Sequence, residues 1–238
     1  MSESPLTGRT ALVTGAGRGI GRAIAEALSA AGAQVWCAAR SASEVQAVAR
    51  ESGGEPLVMD VTDDAAVWAA LDGLQEAIGG PPDIVVNAAG TFAIERCAAE
   101  TVLGFDAQIA VNLRGSFLVT RALLPAMLGR REGLIVHIGS IAGRKAFPGN
   151  AAYSASKFGL RGFHEVLLEE IRGTGVRATL VEPAATDTSL WDELNPDGDT
   201  GLPGRSEMMR PDDVADAVVF VATRPESIRI PLMQIERS

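Results

Sequence analysis

The stretch "TALVTGAGRGIGRAIAEALSAAG", residues 10–32, decides how the chain is read. Its first part, "TALVTG", is a short apolar run closed by a glycine, the pattern of a buried strand. Its last part, "IGRAIAEALSAAG", sets Ile20, Ala23, Ile24, Ala27 and Leu28 on one helical face and offers Gly32 as the C-cap. Between them lies "TGAGRGIG", residues 14–21, with Gly15, Gly19 and Gly21 spaced as TGxxxGxG, since position 20 is isoleucine. A glycine turn between a strand and a helix lets backbone N–H groups and the helix N-terminus come up to a pyrophosphate.

The rest of the chain repeats this alternation. "AQVWCAA", "PLVMDV", "DIVVNAAG", "GLIVHIGS" and "VRATLVEP" read as further strands, with a last short one near 228–235. Helical patterns stand between them: "SASEVQAVARESGG" (41–54), starting on serine and stopping on paired glycines, then from Thr62 or Asp63 through Ile78, from about Ala99 to Arg130 as one bent helix or two, over 151–173, and from Pro211 to Thr223. Pro125 predicts a kink or break late in the long fourth pattern. Continuous apolar strands, each followed by a helix, predict a single-domain α/β fold: a doubly wound parallel sheet, Rossmann-like, with helices on both faces.

Composition limits the partners. The 238 residues carry 30 acidic against 21 basic side chains, a net charge of −9, which disfavours nucleic acid and anionic membrane surfaces. Apolar residues make up 47% and aromatics only 5%, so Ala, Val, Leu and Ile must fill the core. Cys37 and Cys97 lack CxxC spacing, and His137 and His164 have no ligand partner at metal spacing, so no metal site is expected. The N-terminus lacks a basic stretch followed by an apolar core, and no uncharged run reaches the ~20 residues of a membrane span. A cytoplasmic protein acting on small molecules is the expectation.

Tyr153 is the one tyrosine, and it stands four residues before Lys157. At that spacing the two side chains share a helix face, and a neighbouring ammonium is expected to lower the tyrosine pKa from its usual value near 10. Such a tyrosine can exchange a proton with a substrate oxygen. Ser140 closes the fifth strand, on the side where ligands bind in open α/β sheets, and can donate to a carbonyl oxygen. YxxxK alone describes a surface pair on an amphipathic helix equally well. The glycine-rich loop upstream and Ser140, thirteen residues before Tyr153, favour the catalytic reading.

These motifs, in this order, resemble the short-chain dehydrogenase/reductase family over roughly residues 7–225. Asp60–Val61 follow the third strand, where the family contacts adenine. "NAAG", with Asn87, Ala88 and Gly90, ends the fourth, where the family has NNAG or NAG. The resemblance implies that Tyr153 is general acid in reduction and base in oxidation, and that Ser140 polarises the substrate oxygen. It implies that Lys157 holds the nicotinamide ribose and tunes Tyr153, and that Asn112 holds a relay water. It also brings in Ile20 from the loop, and Pro183 and Thr188 beside the nicotinamide amide or phosphates. Ala184 stands where the family has glycine, which raises a question about the loop backbone, and the C-terminus lacks the usual Gly-Gly. The loop beyond, about 184–210, reads as a lid, with Trp191 either on substrate or an ordinary anchor.

After the second strand the chain has Ala39 and Arg40, 25 residues past Gly15, where an acidic residue would select an unphosphorylated ribose. Arg40 offers a planar donor fork suited to phosphate, and Arg18 in the loop is a second cation on that side. The expected cofactor is therefore NADP (NADPH), with NAD as the alternative. The expected activity is hydride transfer between nicotinamide and a carbonyl or secondary alcohol, in the reductive direction, on a ketone or 3-oxoacyl thioester. A non-catalytic dinucleotide sensor or scaffold on the same fold is the competing reading. The family's helices around Asn112 and Tyr153 imply a homodimer or homotetramer.

Overall fold

The computed structural model describes residues 4–198 and 201–238; residues 1–3 of the N-terminal segment and 199–200 of the expected lid lie outside the described residues. Seven strands are β1 (Thr10–Thr14), β2 (Gln34–Ala39), β3 (Glu55–Val58), β4 (Ile84–Asn87), β5 (Gly133–Ile138), β6 (Val176–Pro183) and β7 (Leu232–Ile235). They form one sheet in the order β3-β2-β1-β4-β5-β6-β7, and every pair is parallel. The helices are α1 (Gly19–Ala30), α2 (Ala42–Ser52), α3 (Asp64–Ile78), α4 (Val102–Ile109), α5 (Ser116–Arg130), α6 (Ala151–Glu170) and α7 (Pro211–Ala222). The order reverses beside β1, between β2 and β4, where a doubly wound sheet opens a crevice at its C-terminal edge.

Strand alternation divides the core. Ala11, Val13, Val35, Ile84, Val86 and Val136 face a cluster completed by Ile24 and Leu28 of α1 and Val214 and Val218 of α7. Leu12, Trp36, Val85 and Ile135 face the other, with Leu71 of α3, Leu123 and Met127 of α5 and Leu167 of α6. Each large aliphatic side chain taken wholly from water contributes about 1.5–3 kcal/mol. With both faces covered, the five central strands need no polar face, which is why they read as mainly apolar runs.

Three expectations shift. The third strand stops at Val58, so Asp60–Val61 lie in the turn beyond it, and the sixth helix ends at Glu170. The break foreseen at Pro125 falls instead at Ala110–Gly115, one wide π-helical turn joining α4 to α5. α5 runs through Pro125 to Arg130; Arg121, whose carbonyl would receive the missing N–H, is an exposed position. The wide turn coincides with contacts to distant parts of the chain. Asn112 reaches out of it to Thr91, and a Cβ on Gly115 would stand 2.8 Å from a Val61 methyl. Ala184 does not take a positive φ, so the missing glycine costs no strain; its N–H donates to Ile235 O at 2.9 Å. No described helix is long and apolar enough to cross a membrane.

Candidate active site

Two clefts meet at the C-terminal edge of the sheet. One, of about 430 Å³, is lined by Gly15, Arg18, Gly19, Ile20 and Gly21 of the loop, by Arg40 and Ser41, by Asp60 and Val61, and by Ala88 and Gly90. The other, of about 360 Å³, is lined by Ser140, Tyr153, Lys157, Pro183 and a largely apolar wall. Ile20, Ala88, Gly90, Thr91, Thr188 and Leu190 belong to both, so the two form one continuous groove.

The geometry of the first cleft suits a dinucleotide. Gly15, at φ +67°, brings the loop so close to β4 that an added Cβ would lie 2.7 Å from Ala89 Cα. α2, α3 and α4 begin on Ser41, Asp63 and Thr101, whose side chains accept from the first turn. α1 begins on Arg18 with no side-chain cap and no acidic residue in its first turn. Its first N–H groups are left to an anion from outside, which suits a pyrophosphate. Arg18 and Arg40 are exposed, and their side chains make no hydrogen bond or ion pair with any described residue. Glu44, from the first turn of α2, also faces this cleft and lies over Gly17. Asp60 turns its carboxylate back on Thr62, accepting from its N–H and hydroxyl at 2.8 Å each.

In the second cleft, Ser140 sits two residues past β5 and caps the short 3₁₀ turn Ile141–Gly143. That turn presses on α6, since a Cβ on Gly143 would stand 2.9 Å from Lys157 O. Lys157 is 6% exposed; its ammonium donates to Ile138 O at 2.9 Å and lies 5.7 Å from the centre of the Tyr153 ring. Burial pushes the Lys157 pKa down to about 8. Tyr153 moves the other way from the sequence expectation. Burial raises its pKa, and the hydroxyl of Ser140 pulls it back only in part. The penalty on a buried phenolate exceeds what an ammonium beyond hydrogen-bond reach returns. At neutral pH Tyr153 therefore holds its proton.

Two sequence-predicted site residues lie outside the groove's lining. Asn112 is fully buried: Oδ1 accepts from Thr91 N–H at 2.8 Å, and Nδ2 donates to Thr91 O at 2.9 Å and Ser156 Oγ at 3.0 Å. Both amide hydrogens are occupied in clamping the 91 loop to α6. Asn87, at the end of β4, is 2% exposed and donates to Thr120 Oγ1 at 3.3 Å.

Thr120 opens a chain of buried polar contacts that spacing did not reveal. Its hydroxyl lies 3.2 Å from His137 Nε2, His137 Nδ1 lies 3.1 Å from His164 Nδ1, and His164 Nε2 lies 3.0 Å from Pro231 O. Burial holds both imidazoles below their ordinary pKa, and so neutral. A carbonyl only accepts, so His164 carries its proton on Nε2 and leaves Nδ1 bare. His137 must then donate from Nδ1, and Thr120 donates to His137 Nε2. The protons are thus ordered in one direction from Asn87 on β4 to Pro231 beside β7.

Sequence reasoning also missed the aromatic wall. Phe92 stands edge-on to Tyr153 at 4.8 Å and to Trp191 at 5.0 Å between ring centres. Only the fold brings residues 92, 153 and 191 together. Trp191 itself is fixed by donating from Nε1 to Thr186 O at 3.1 Å.

The family model described as short chain dehydrogenase matches residues 9–199. The chain belongs to the short-chain dehydrogenase family. Among relatives of this short-chain dehydrogenase is the glycine betaine reductase ATRR of Emericella nidulans, 34% identical over 98% of the chain. The chain spans 19% of that protein's length. An uncharacterised oxidoreductase of Staphylococcus aureus (strain USA300) is 32% identical over 94% of the chain and 95% of its own length. Among solved structures, a metagenomic short-chain oxidoreductase in complex with NADP superposes with a TM-score of 0.83 at 35% identity, over 99% of both chains. The short-chain dehydrogenase is accordingly an oxidoreductase enzyme on a Rossmann-like fold, of a family that uses NAD(P).

Proposed function

We propose that this short-chain dehydrogenase is an NADPH-dependent carbonyl reductase of the cytoplasm. The observation that carries the reading is the convergence of Ser140, Tyr153 and Lys157 on one wall of a groove whose other end holds the glycine loop, Arg18 and Arg40. The dinucleotide, when bound, supplies the hydride. Ser140 directs its hydroxyl to the substrate oxygen, and Tyr153, protonated at neutral pH, delivers a proton to that oxygen as negative charge develops on it. Lys157 orients the ribose beside Tyr153. Ala88, Gly90, Pro183 and Thr188 line the stretch of groove between the two ends. Asn87 and Asn112 act from behind the groove as positioning residues.

Preference for the phosphorylated cofactor is supported by two guanidinium groups, unpaired among the described residues, where the adenosine ribose would lie. The reductive direction is supported by the protonated Tyr153. A homodimer or homotetramer is supported by apolar side chains left exposed on α4, α5 and α6, among them Val102, Leu103, Phe117 and Phe158. The test is consumption of NADPH over a panel of ketones and acyl thioesters, followed by absorbance, with Tyr153→Phe as control. Turnover by the wild type alone supports the reading; no turnover on any substrate favours a non-catalytic dinucleotide sensor. Light scattering of the purified protein reads the oligomer.

A further inference from the structure

Given the carbonyl-reductase reading, on which this inference rests, we infer that the substrate is a neutral ketone bearing an aromatic or compact aliphatic group, and that keto acids and phosphorylated ketones are excluded. The wall beyond Tyr153 is built from Phe92, Ile94, Phe147, Leu190, Trp191 and Pro203. Phe92 lies edge-on between the Tyr153 and Trp191 rings, so an apolar wall begins directly beside the proton donor. Trp191 could have hydrogen-bonded a substrate, but its N–H is held by Thr186 O, and the ring offers only carbon.

Charge decides the class. Lys157 is the one charged side chain among the described residues lining this cleft, and its ammonium is bound to Ile138 O. The other cations nearby stand outside the lining. Arg144 pairs with the buried Glu182 at 3.4 Å, Lys145 lies over the Phe147 ring, and Arg205 is held by Asp187 and Asp192. None of the three lines the cleft. A carboxylate or phosphate on the substrate would lose water and find no counter-ion among these wall residues, and an ammonium would meet no acid. The wall therefore binds by apolar contact and selects against charge by withholding counter-ions.

The experiment compares benzylacetone, butanone and levulinate as substrates with NADPH, for the wild type, Trp191→Ala and Ile94→Arg. Benzylacetone is expected to exceed levulinate in kcat/KM by at least about 100-fold in the wild type, the cost of an unpaired buried charge. Trp191→Ala is expected to lower the benzylacetone-to-butanone ratio by about tenfold, through KM. Ile94→Arg, which adds a cation to the wall, is expected to raise levulinate turnover relative to benzylacetone. Levulinate matching or exceeding benzylacetone in the wild type overturns the inference and leaves the carbonyl-reductase reading standing. NADPH binding with no turnover of any of the three, nor of the wider panel, overturns that reading and the inference with it.

Discussion

Arg40 and Arg18 hold guanidinium groups with no partner among the described residues, so replacing one changes little but what the cleft offers an incoming anion. Arg40→Asp is expected to lower the NADPH-to-NADH ratio of kcat/KM by about tenfold or more, since it exchanges a phosphate donor for a charge that repels it. Glu44 opposes the two arginines in the same cleft, and Glu44→Gln is expected to raise that ratio a few-fold, on the order of the screened energy of a surface charge. Lys157 gives a stability prediction with a definite sign. Its folded pKa, about 8, lies below the unfolded lysine value, so its destabilising effect is complete below pH 8 and fades as pH rises toward about 10.4. Lys157→Met is therefore expected to be inactive, and its thermal midpoint minus that of the wild type should fall between pH 8 and 10. A difference independent of pH would remove the buried-ammonium account. Tyr153 and Lys157 were legible in the sequence because four-residue spacing on a helix fixes a shared face. The direction of the Tyr153 shift was not, because it is set by burial that only the fold supplies.

At the scale of elements, the wide turn Ala110–Gly115 and the histidine chain tie together pieces far apart in sequence. Asn112→Ala would leave Thr91 N–H and C=O unpaired beside the groove. It is expected to cost about 2–4 kcal/mol in denaturant unfolding and to lower kcat while NADPH binding persists. The proton order of the chain Thr120–His137–His164–Pro231 requires both rings neutral; His164 and Lys157 repel charge on His137, while Glu165 faces His164 and favours charge there weakly. Below about pH 6.5 the unfolded state takes up protons that the folded state refuses, so stability is lost as pH falls. The thermal midpoint, followed by circular dichroism, should drop more steeply toward pH 5 in the wild type than in His137→Leu/His164→Leu; Pro231 O keeps a donor there, Leu180 N–H. Strand and helix order was readable from periodicity, since the five central strands are covered on both faces. The place of the helix irregularity was not. Pro125 carried the local signal, but Asn112, Thr91 and Val61 determine where the turn widens, through contacts across the fold.

At the scale of the molecule, one crevice at the reversal of strand order receives a cation-flanked glycine loop at one end and a proton donor in an apolar slot at the other. The dinucleotide end is continuous in sequence over 14–21 and could be read directly. The substrate end is assembled from segments around 92, 147 and 191, so its aromatic character emerges only with the fold. The exposed apolar side chains on α4, α5 and α6 predict that Phe158→Asp shifts the protein to a smaller species in light scattering. The account as a whole rests on Tyr153 as proton donor. Its most direct test is ketone-dependent NADPH oxidation by Tyr153→Phe, with NADPH affinity measured on the same preparation by fluorescence. The account predicts kcat lower by about 10²–10⁴-fold with affinity for NADPH unchanged. A variant that binds NADPH and still turns over within a few-fold of the wild type would contradict it.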